Sequence, residues 1–134
     1  GERWDADRLR SERLMTVFYT TAGKALVVDR CDGTQTTPHT DFIAQGTGVG
    51  GASVGSTTLS TEASEARVSA TKSQPAADTN QWLATITADG TKTITNAGVF
   101  AGGVGGTLLV IVDGLSIAVV ANDSIQFTFT LQQT

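Results

Sequence analysis

Three glycines in the run FIAQGTGVGGASVGSTTL, residues 42–59, have a spacing that could hold a phosphate group. Gly46, Gly48 and Gly51 satisfy G-x-G-x-x-G, the pattern of loops that bind the pyrophosphate of a dinucleotide. Such a loop works because it joins a strand to a helix whose N-terminal amides face the anion. The residues that follow, ASVGSTTLST, are too rich in Ser, Thr and Gly to begin a firm helix.

The other parts of a nucleotide site are also missing from the pattern. Glu65 lies near the distance at which a ribose-binding acid belongs, but it stands inside TEASEAR rather than at the end of a strand. Lys24 is the only lysine preceded by glycine, and Ala25 follows it, so no phosphate loop ending in Gly-Lys-Ser/Thr is present. We therefore predict that the glycines permit positive φ and close backbone approach in a loop joining strands, as in AGGVGG at 101–106. No cofactor is expected.

The residue types that do catalysis or bind metals are few. His39 is the only histidine and stands in a polar loop, where an exposed bystander is expected. Cys31 is the only cysteine; it cannot form an internal disulfide, and we interpret it as a small packed side chain. Asp5, Asp7 and Asp113 lack the spacing of a calcium loop. The sequence predicts no catalytic residue, no metal site and no small-molecule substrate, and therefore no enzyme.

A small group of charges follows the glycine-rich run. Glu62, Glu65 and Arg67 could form an ion pair that fixes the segment after the loop. The alternative is a solvated cluster contributing under about 1 kcal/mol. The sequence favours the solvated cluster.

Composition bounds the class of protein. The chain has 134 residues, which fits one domain with a sizeable core. Its net charge of -4 argues against a nucleic-acid partner, since phosphate binding needs a basic face. No apolar run approaches the ~20 residues that cross a bilayer, and no charged-then-apolar leader opens the sequence. We expect no membrane association.

The elements predicted from the pattern are mostly short strands. Residues 125–132 are the clearest, because apolar Ile, Phe, Phe and Leu alternate with Gln and Thr. TTAGKALVVDRC, from residue 20, is predicted as a short helix, with a hairpin at Ala22-Gly23 as the competitor. Further strands are predicted at 14–20, 42–45, 66–73, 82–88, 92–100, 107–112 and 117–120, and turns at PAADTN, ADGT, DGLS and ANDS.

No helix of crossover length separates these strands, so a doubly wound parallel sheet is excluded. The pattern predicts a mainly β protein, an antiparallel β-sandwich with one short helix, formed by residues 15–134.

Residues 1–14, GERWDADRLRSERL, differ from the rest in being short, highly charged and only thinly apolar. We interpret them as an N-terminal arm that orders against another surface, such as another subunit; a frayed terminus is the alternative. The candidate partner contacts are Trp4, Arg8, Leu9, Arg10 and Arg13.

The order of several runs resembles a pattern in structural proteins of tailed bacteriophages. TTAGKALVVDR leads to DFIAQGTGVGGAS and then to TTLSTEASEAR, which supplies a Leu-x-x-Glu...Arg signature at Leu59, Glu62 and Arg67. ITNAGVF, GGTLLV and DSIQFTFTLQ continue the likeness, which covers roughly residues 14–134 and leaves the arm outside. Related sequences tend to carry "aGlf" where Ala97, Gly98, Val99 and Phe100 stand here.

The resemblance implies a virion component, a compact, jelly-roll-like β-sandwich present in many copies. A single domain with an arm fits a capsid decoration (cement) protein best, one that binds the major capsid protein and copies of itself on the capsid surface after synthesis in the host cytoplasm. A tail fibre, collar or baseplate subunit is the alternative. A carbohydrate-binding sandwich is less favoured, because aromatic residues are 6% of the chain and Trp82 stands on a predicted core face; an exposed platform of Trp4 and Tyr19 would favour it.

Overall fold

The computed structural model describes residues 16–31 and 40–132. Within these ranges it has one helix and eight strands. We number them in chain order as β1 (Thr16–Tyr19), α1 (Thr21–Cys31), β2 (Phe42–Gly46), β3 (Val68–Ser69), β4 (Thr71–Ala76), β5 (Thr79–Thr87), β6 (Lys92–Phe100), β7 (Leu108–Val119) and β8 (Ser124–Gln132).

The strands form two antiparallel sheets. Sheet A has five strands in the order β1-β7-β6-β2-β3, and sheet B has three in the order β4-β5-β8. Neither sheet closes on itself, and the sheets share a core, as in a β-sandwich. The predicted fold class is therefore confirmed: mainly β, antiparallel, with one short helix.

The main core lies between the two sheets. Sheet B supplies alternate residues of β5 and β8, and the pairing Trp82↔Phe129 and Ala84↔Phe127 brings their inward side chains side by side. Trp82 is 4% exposed, and its indole Nε1 donates to the Thr40 carbonyl at 2.7 Å, so its one polar atom is satisfied inside the core. Sheet A contributes Ile43, Ile94, Ala97, Val99, Leu109, Val110, Val112, Leu115, Ile117 and Val119.

The short helix is confirmed over the competing hairpin. Thr20 caps it, because its hydroxyl accepts the Gly23 amide at 2.9 Å. The same hydroxyl donates to the Leu108 carbonyl, and the Thr20 amide donates to the Leu109 carbonyl at 3.1 Å, which docks the helix start on β7. A Cβ at Gly23 would lie 2.6 Å from the Leu109 carbonyl oxygen, so glycine is needed for this close approach.

The predicted turn at DGLS is wrong. β7 continues through it, and the register with β6 shifts between the pairs Asn96↔Asp113 and Ile94↔Ile117. Gly114 has φ of 81°, a conformation that lets β7 carry its extra residues as a bulge without ending the strand. A turn-like sequence inside a long strand here marks a bulge.

Two other predicted boundaries also move. The single strand predicted at 66–73 divides into β3 in sheet A and β4 in sheet B, on either side of Ala70, whose amide donates to the Asp41 carbonyl at 2.7 Å. The PAADTN turn contracts to Ala77 and Asp78. β4 runs through Pro75, which has no backbone N–H to donate. An edge strand tolerates this because one of its sides faces no partner strand, and the pairing of β4 with β5 is already irregular between Ser73 and Ala76.

Candidate functional site

The glycine-rich segment covers the outer face of sheet A. We call residues 47–62 the glycine cover. Beneath it lies a second hydrophobic core made of Ala44, Leu59, Phe100, Leu108 and Ile111, with Phe18 and Ala52 packed against it. Leu59 is the cover's own buried anchor, 5% exposed. Sheet A is therefore covered on both faces, by sheet B on one side and by this segment on the other.

The three glycines of the G-x-G-x-x-G pattern have structural roles: Gly46 ends β2, and Gly48 and Gly51 lie in the cover. A Cβ at Gly46 would lie 2.9 Å from the Ser60 carbonyl oxygen, and one at Gly48 would lie 2.6 Å from the same atom. Gly51 has φ of 87°. These are the roles predicted from the sequence, close backbone approach and positive φ.

The backbone of the cover pairs with itself. The amides of Thr47 and Gly48 donate to the carbonyls of Thr61 and Ser60, both at 2.9 Å, and Gly46 forms a bridge with Glu62. A pyrophosphate loop needs such amides pointing at the anion from a helix N-terminus. Between residues 47 and 62 the chain forms turns and this bridge, and no helix follows the glycines.

Asn96 holds the cover from below. It is 1% exposed, and its Nδ2 donates to the Ser60 carbonyl at 3.1 Å and to the Gly48 carbonyl at 3.4 Å. The neighbouring Thr95 hydroxyl also donates to the Gly48 carbonyl. The Asn96 Oδ1 has no hydrogen-bond partner among the described residues and packs against Gly46. One buried amide thus joins the two ends of the cover.

Arg67 ties the cover to the second glycine loop. Its Nε and one terminal nitrogen donate to the two carboxylate oxygens of Glu62, each at 2.9 Å. The other terminal nitrogen donates to the carbonyls of Gly102 and Gly105, at 2.8 and 2.6 Å. The guanidinium lies 3.7 Å from the ring centre of Phe100, and the side chain is only 6% exposed. Arg67 and Glu62 therefore form a defined ion pair, and the favoured prediction of a solvated cluster is wrong for these two residues.

Glu65 belongs to a different network. Its carboxylate accepts from the Lys92 ammonium and, at 3.0 Å each, from the Asp89 amide and the Gln45 side chain. Lys92 also donates to Asp89 at 2.7 Å and to Ser64 at 3.0 Å. The Glu65 and Lys92 side chains are 5% and 14% exposed. This cluster fastens the segment that follows the cover to the turn between β5 and β6.

These contacts shift the acid–base behaviour of the cluster. Hydrogen bonds from Lys92 and Ser64 lower the pKa of Asp89 to about 2. Burial raises the pKa of Glu65, but the hydrogen bonds from Lys92, the Asp89 amide and Gln45 outweigh it, so the pKa is lowered. Hydrogen bonds to Asp89 and Glu65 raise the pKa of Lys92. The cluster is thus fully charged at neutral pH, as expected of a structural ion pair network.

The outer face of sheet B has a different character, because it is polar but uncharged. In β5 and β8 the residues facing away from the core alternate with buried ones, and opposite positions pair as Thr85↔Gln126 and Leu83↔Thr128. We call this surface the uncharged face; it consists of Thr71, Ser73, Thr79, Gln81, Leu83, Thr85, Thr87, Ser124, Gln126, Thr128, Thr130 and Gln132. None of these side chains carries a charge.

All of the predicted contact residues, and three other residues considered from the sequence, lie outside the described ranges. This holds for the arm residues Trp4, Arg8, Leu9, Arg10 and Arg13, for His39, and for Asp5 and Asp7. The interpretation of Cys31 as a packed side chain is wrong: it is exposed at the end of α1, where it contacts no core. Asp113 accepts the amides of Gly114 at 2.8 Å and Ala52 at 3.4 Å.

The aromatic residues considered for sugar binding are placed as follows. Trp82 is in the core, as predicted. Tyr19 is half-buried, and the Lys24 ammonium lies 5.4 Å from the centre of its ring. One face of that ring is therefore occupied, which does not suit an open stacking platform.

Sequence reasoning missed two residues that build the cover's attachment. Lys92 is the only base after Ser73, and Asn96 is an amide residue directly before the apolar run AGVF of the strand KTITNAGVF. A polar side chain among buried strand positions needs a hydrogen-bond partner, and this requirement could have identified Asn96 as an attachment point. The uncharged face had a plain signal too, in the alternating Gln and Thr residues of β8.

Among residues 16–31 and 40–132, no group of three or more His, Cys, Asp or Glu side chains is placed to hold a metal ion. No helix within the described ranges is both long enough and apolar enough to span a membrane. Comparison with family models, with curated proteins and with solved structures found no match to this chain.

Proposed function

We propose that this protein is a non-enzymatic structural component of a tailed-bacteriophage virion. In this proposal it decorates the capsid, binding the major capsid protein and stabilising the shell. The alternative is a tail fibre, collar or baseplate subunit, and the experiment described below distinguishes it from the capsid role.

The observation that carries the proposal is the uncharged face of sheet B. It is a broad strand surface with Thr and Gln side chains around Leu83 at the middle strand. Small uncharged groups lose less on dehydration than charged groups, and the centres of protein–protein contacts are depleted in charge. A face of this kind suits a wide, permanent contact with another protein surface.

The residues that carry the sequence resemblance lie together in one part of the structure. Leu59 anchors the glycine cover over Gly98, where a Cβ would lie 3.2 Å from the Leu59 side chain and 2.9 Å from the Val110 carbonyl. Glu62 and Arg67 lock the end of that cover. The motif order thus describes parts that act together in one structural feature, the covered outer face of sheet A.

The test is to prepare capsids that lack this protein and then to add the purified protein back. Such heads are expected to lose resistance to heat or osmotic shock and to regain it when purified protein is added. The variant Thr85→Glu places a charge in the uncharged face and is expected to remain folded but fail to restore resistance. The change is at an exposed strand position, where a cost within about 1 kcal/mol is usual.

The matched control is Thr93→Glu, the same change at an exposed position of β6 in the other sheet. It should restore resistance like the natural protein. Heads that are equally stable without the chain, together with defective tails or adsorption, would contradict the capsid assignment and favour the tail. Full restoration by the Thr85→Glu protein would show that the contact uses another surface.

A further inference from the structure

The edges of the two sheets differ in how well they are protected against pairing with another chain. β1 has four residues and β3 only two, and the edge strand β4 carries Lys72 and Pro75. Short strands, lysine and proline are the usual means of blocking an exposed edge. β8 has none of them: it is nine residues long, without a charge, a proline or a bulge in its pairing with β5.

The unprotected edge of β8 borders an apolar groove. The groove has a volume of about 270 Å³ and lies where β8 of sheet B diverges from β1 and β7 of sheet A. It is lined by Val17, Leu115, Phe127 and Phe129 among others, and Val17 is 59% exposed. Within the described part of the chain, β8 pairs with β5 alone. An additional strand at this edge would gain backbone hydrogen bonds and cover apolar surface at once.

The sequence of β8 is nearly symmetric about Thr128. Counting outward from that residue in SIQFTFTLQ, Phe127 matches Phe129, and Gln126 matches Thr130. The next pair is Ile125 with Leu131, and the last is Ser124 with Gln132. An antiparallel pair of identical strands centred on Thr128 would therefore place aromatic opposite aromatic, aliphatic opposite aliphatic, and polar opposite polar. Such matched cross-strand pairs stabilise a sheet, and no like charges oppose one another.

We propose that the occupant of this edge is β8 of a second copy, paired antiparallel across a twofold axis at Thr128. The two B sheets then join edge to edge into one continuous sheet, and the uncharged face becomes a single surface twice as wide. The partner's Phe127 and Phe129 point to the same side as their counterparts and close the groove. A contact of this kind is isologous, since the same patch serves both copies. The inference concerns contact between copies and does not depend on where the protein binds in a particle.

Disulfide trapping tests both the edge and its register. In a Cys31→Ser background, Thr128→Cys should oxidise to a covalent dimer, because its Cα atoms would lie about 4.5–5.5 Å apart, within the range that a disulfide spans. Thr130→Cys is the matched control on the same strand and face. Its two copies would be displaced by about four residues, roughly 13 Å, and should stay monomeric on oxidation. Gln126→Cys mixed with Thr130→Cys should cross-link, although neither does so alone.

Sedimentation of the natural protein gives the second readout. A dimer is expected, and Thr128→Lys should raise its dissociation constant about tenfold or more by placing two ammonium groups opposite each other. Thr85→Lys, on the same face but in the interior strand β5, should leave it unchanged. A natural protein that is monomeric at high micromolar concentration would overturn the proposal. So would oxidation of Thr130→Cys alone, or a monomer whose β8 amides resist hydrogen exchange, which would show that the chain's own segment covers the edge.

Discussion

The side chain of Arg67 joins three separate parts of the chain. It binds Glu62 with two parallel hydrogen bonds, donates to the carbonyls of the loop at 101–106, and stacks on Phe100. Lysine could keep the charge but not this forked geometry. Almost all N–H donors of the guanidinium group have an acceptor within the protein, so the charged side chain can stabilise the contact between these three parts.

We expect Arg67→Ala to lower the free energy of unfolding by about 1–3 kcal/mol, because it removes a side chain that is only 6% exposed, together with its paired hydrogen bonds to Glu62 and those to the carbonyls of the loop at 101–106. Arg67→Lys should recover only part of the loss. Urea denaturation checks both, and amide hydrogen exchange should rise first in residues 101–106. Lys72→Ala is the control, since the Lys72–Asp41 pair is 46% and 37% exposed and should contribute under about 1 kcal/mol. Equal losses at positions 67 and 72 would contradict the role given to Arg67.

The cluster of Lys92, Glu65 and Asp89 predicts how stability depends on pH. Both carboxyl groups have pKa values below their ordinary ones, that of Asp89 at about 2. Their contribution is therefore complete above the unfolded-state pKa values near 4 and is lost as the pH falls toward 2. Lys92→Met should lower stability at pH 7 by about 1–2 kcal/mol and flatten the fall between pH 4 and 2. Urea midpoints at pH 7, 4, 3 and 2 measure this, with Lys72→Met as control; an unchanged slope in the Lys92 variant would contradict it.

At the scale of elements, the stability of the glycine cover depends on close contact between its backbone segments. Gly48→Ala should lower the free energy of unfolding by about 1–3 kcal/mol, because its Cβ would press on the backbone of Ser60. Gly55→Ala in the same segment is the control: its Cβ would meet nothing closer than 3.6 Å, and its φ is not positive. Thermal unfolding of the two variants separates them. A tolerated alanine at Gly48 would mean that the cover is not held against Ser60.

The elements also show how far the sequence alone predicts this fold. Alternation in β8 and the missing crossover helices were sufficient for the class, because the apolar period is set by which face of a strand is buried. The division of residues 66–73 between two sheets could not be predicted, since it depends on a pairing with Asp41 that is distant in sequence. DGLS was misjudged because glycine and aspartate favour both turns and bulges, and only the partner strand decides between them.

For the candidate site, the roles set by local sequence could be predicted, and the contacts between residues distant in sequence could not. The structural role of Gly46, Gly48 and Gly51 followed from local context, namely the absence of a helix-forming run after them. The division of Glu62 and Glu65 between Arg67 and Lys92 did not, because it depends on which charges the sheets bring together. The arm residues Trp4, Arg8, Leu9, Arg10 and Arg13 remain a prediction from composition.

At the scale of the whole molecule, the described residues contain two cores of their own. Deleting residues 1–13 should therefore leave a folded sandwich, with a circular dichroism spectrum and a cooperative melt like those of the full chain. It should weaken attachment to heads or association between copies, because the arm has little apolar content of its own to bury within one copy. Loss of cooperative folding in this truncation would show that the arm belongs to the core.

The most direct test of the proposed role is an electron-microscopy map of the intact particle. We expect one small β-sandwich domain repeated over the outer surface of the capsid, with the uncharged face of sheet B lying against the shell. The same domain found only on the tail, or seated on the capsid with that face turned to solvent, would contradict it.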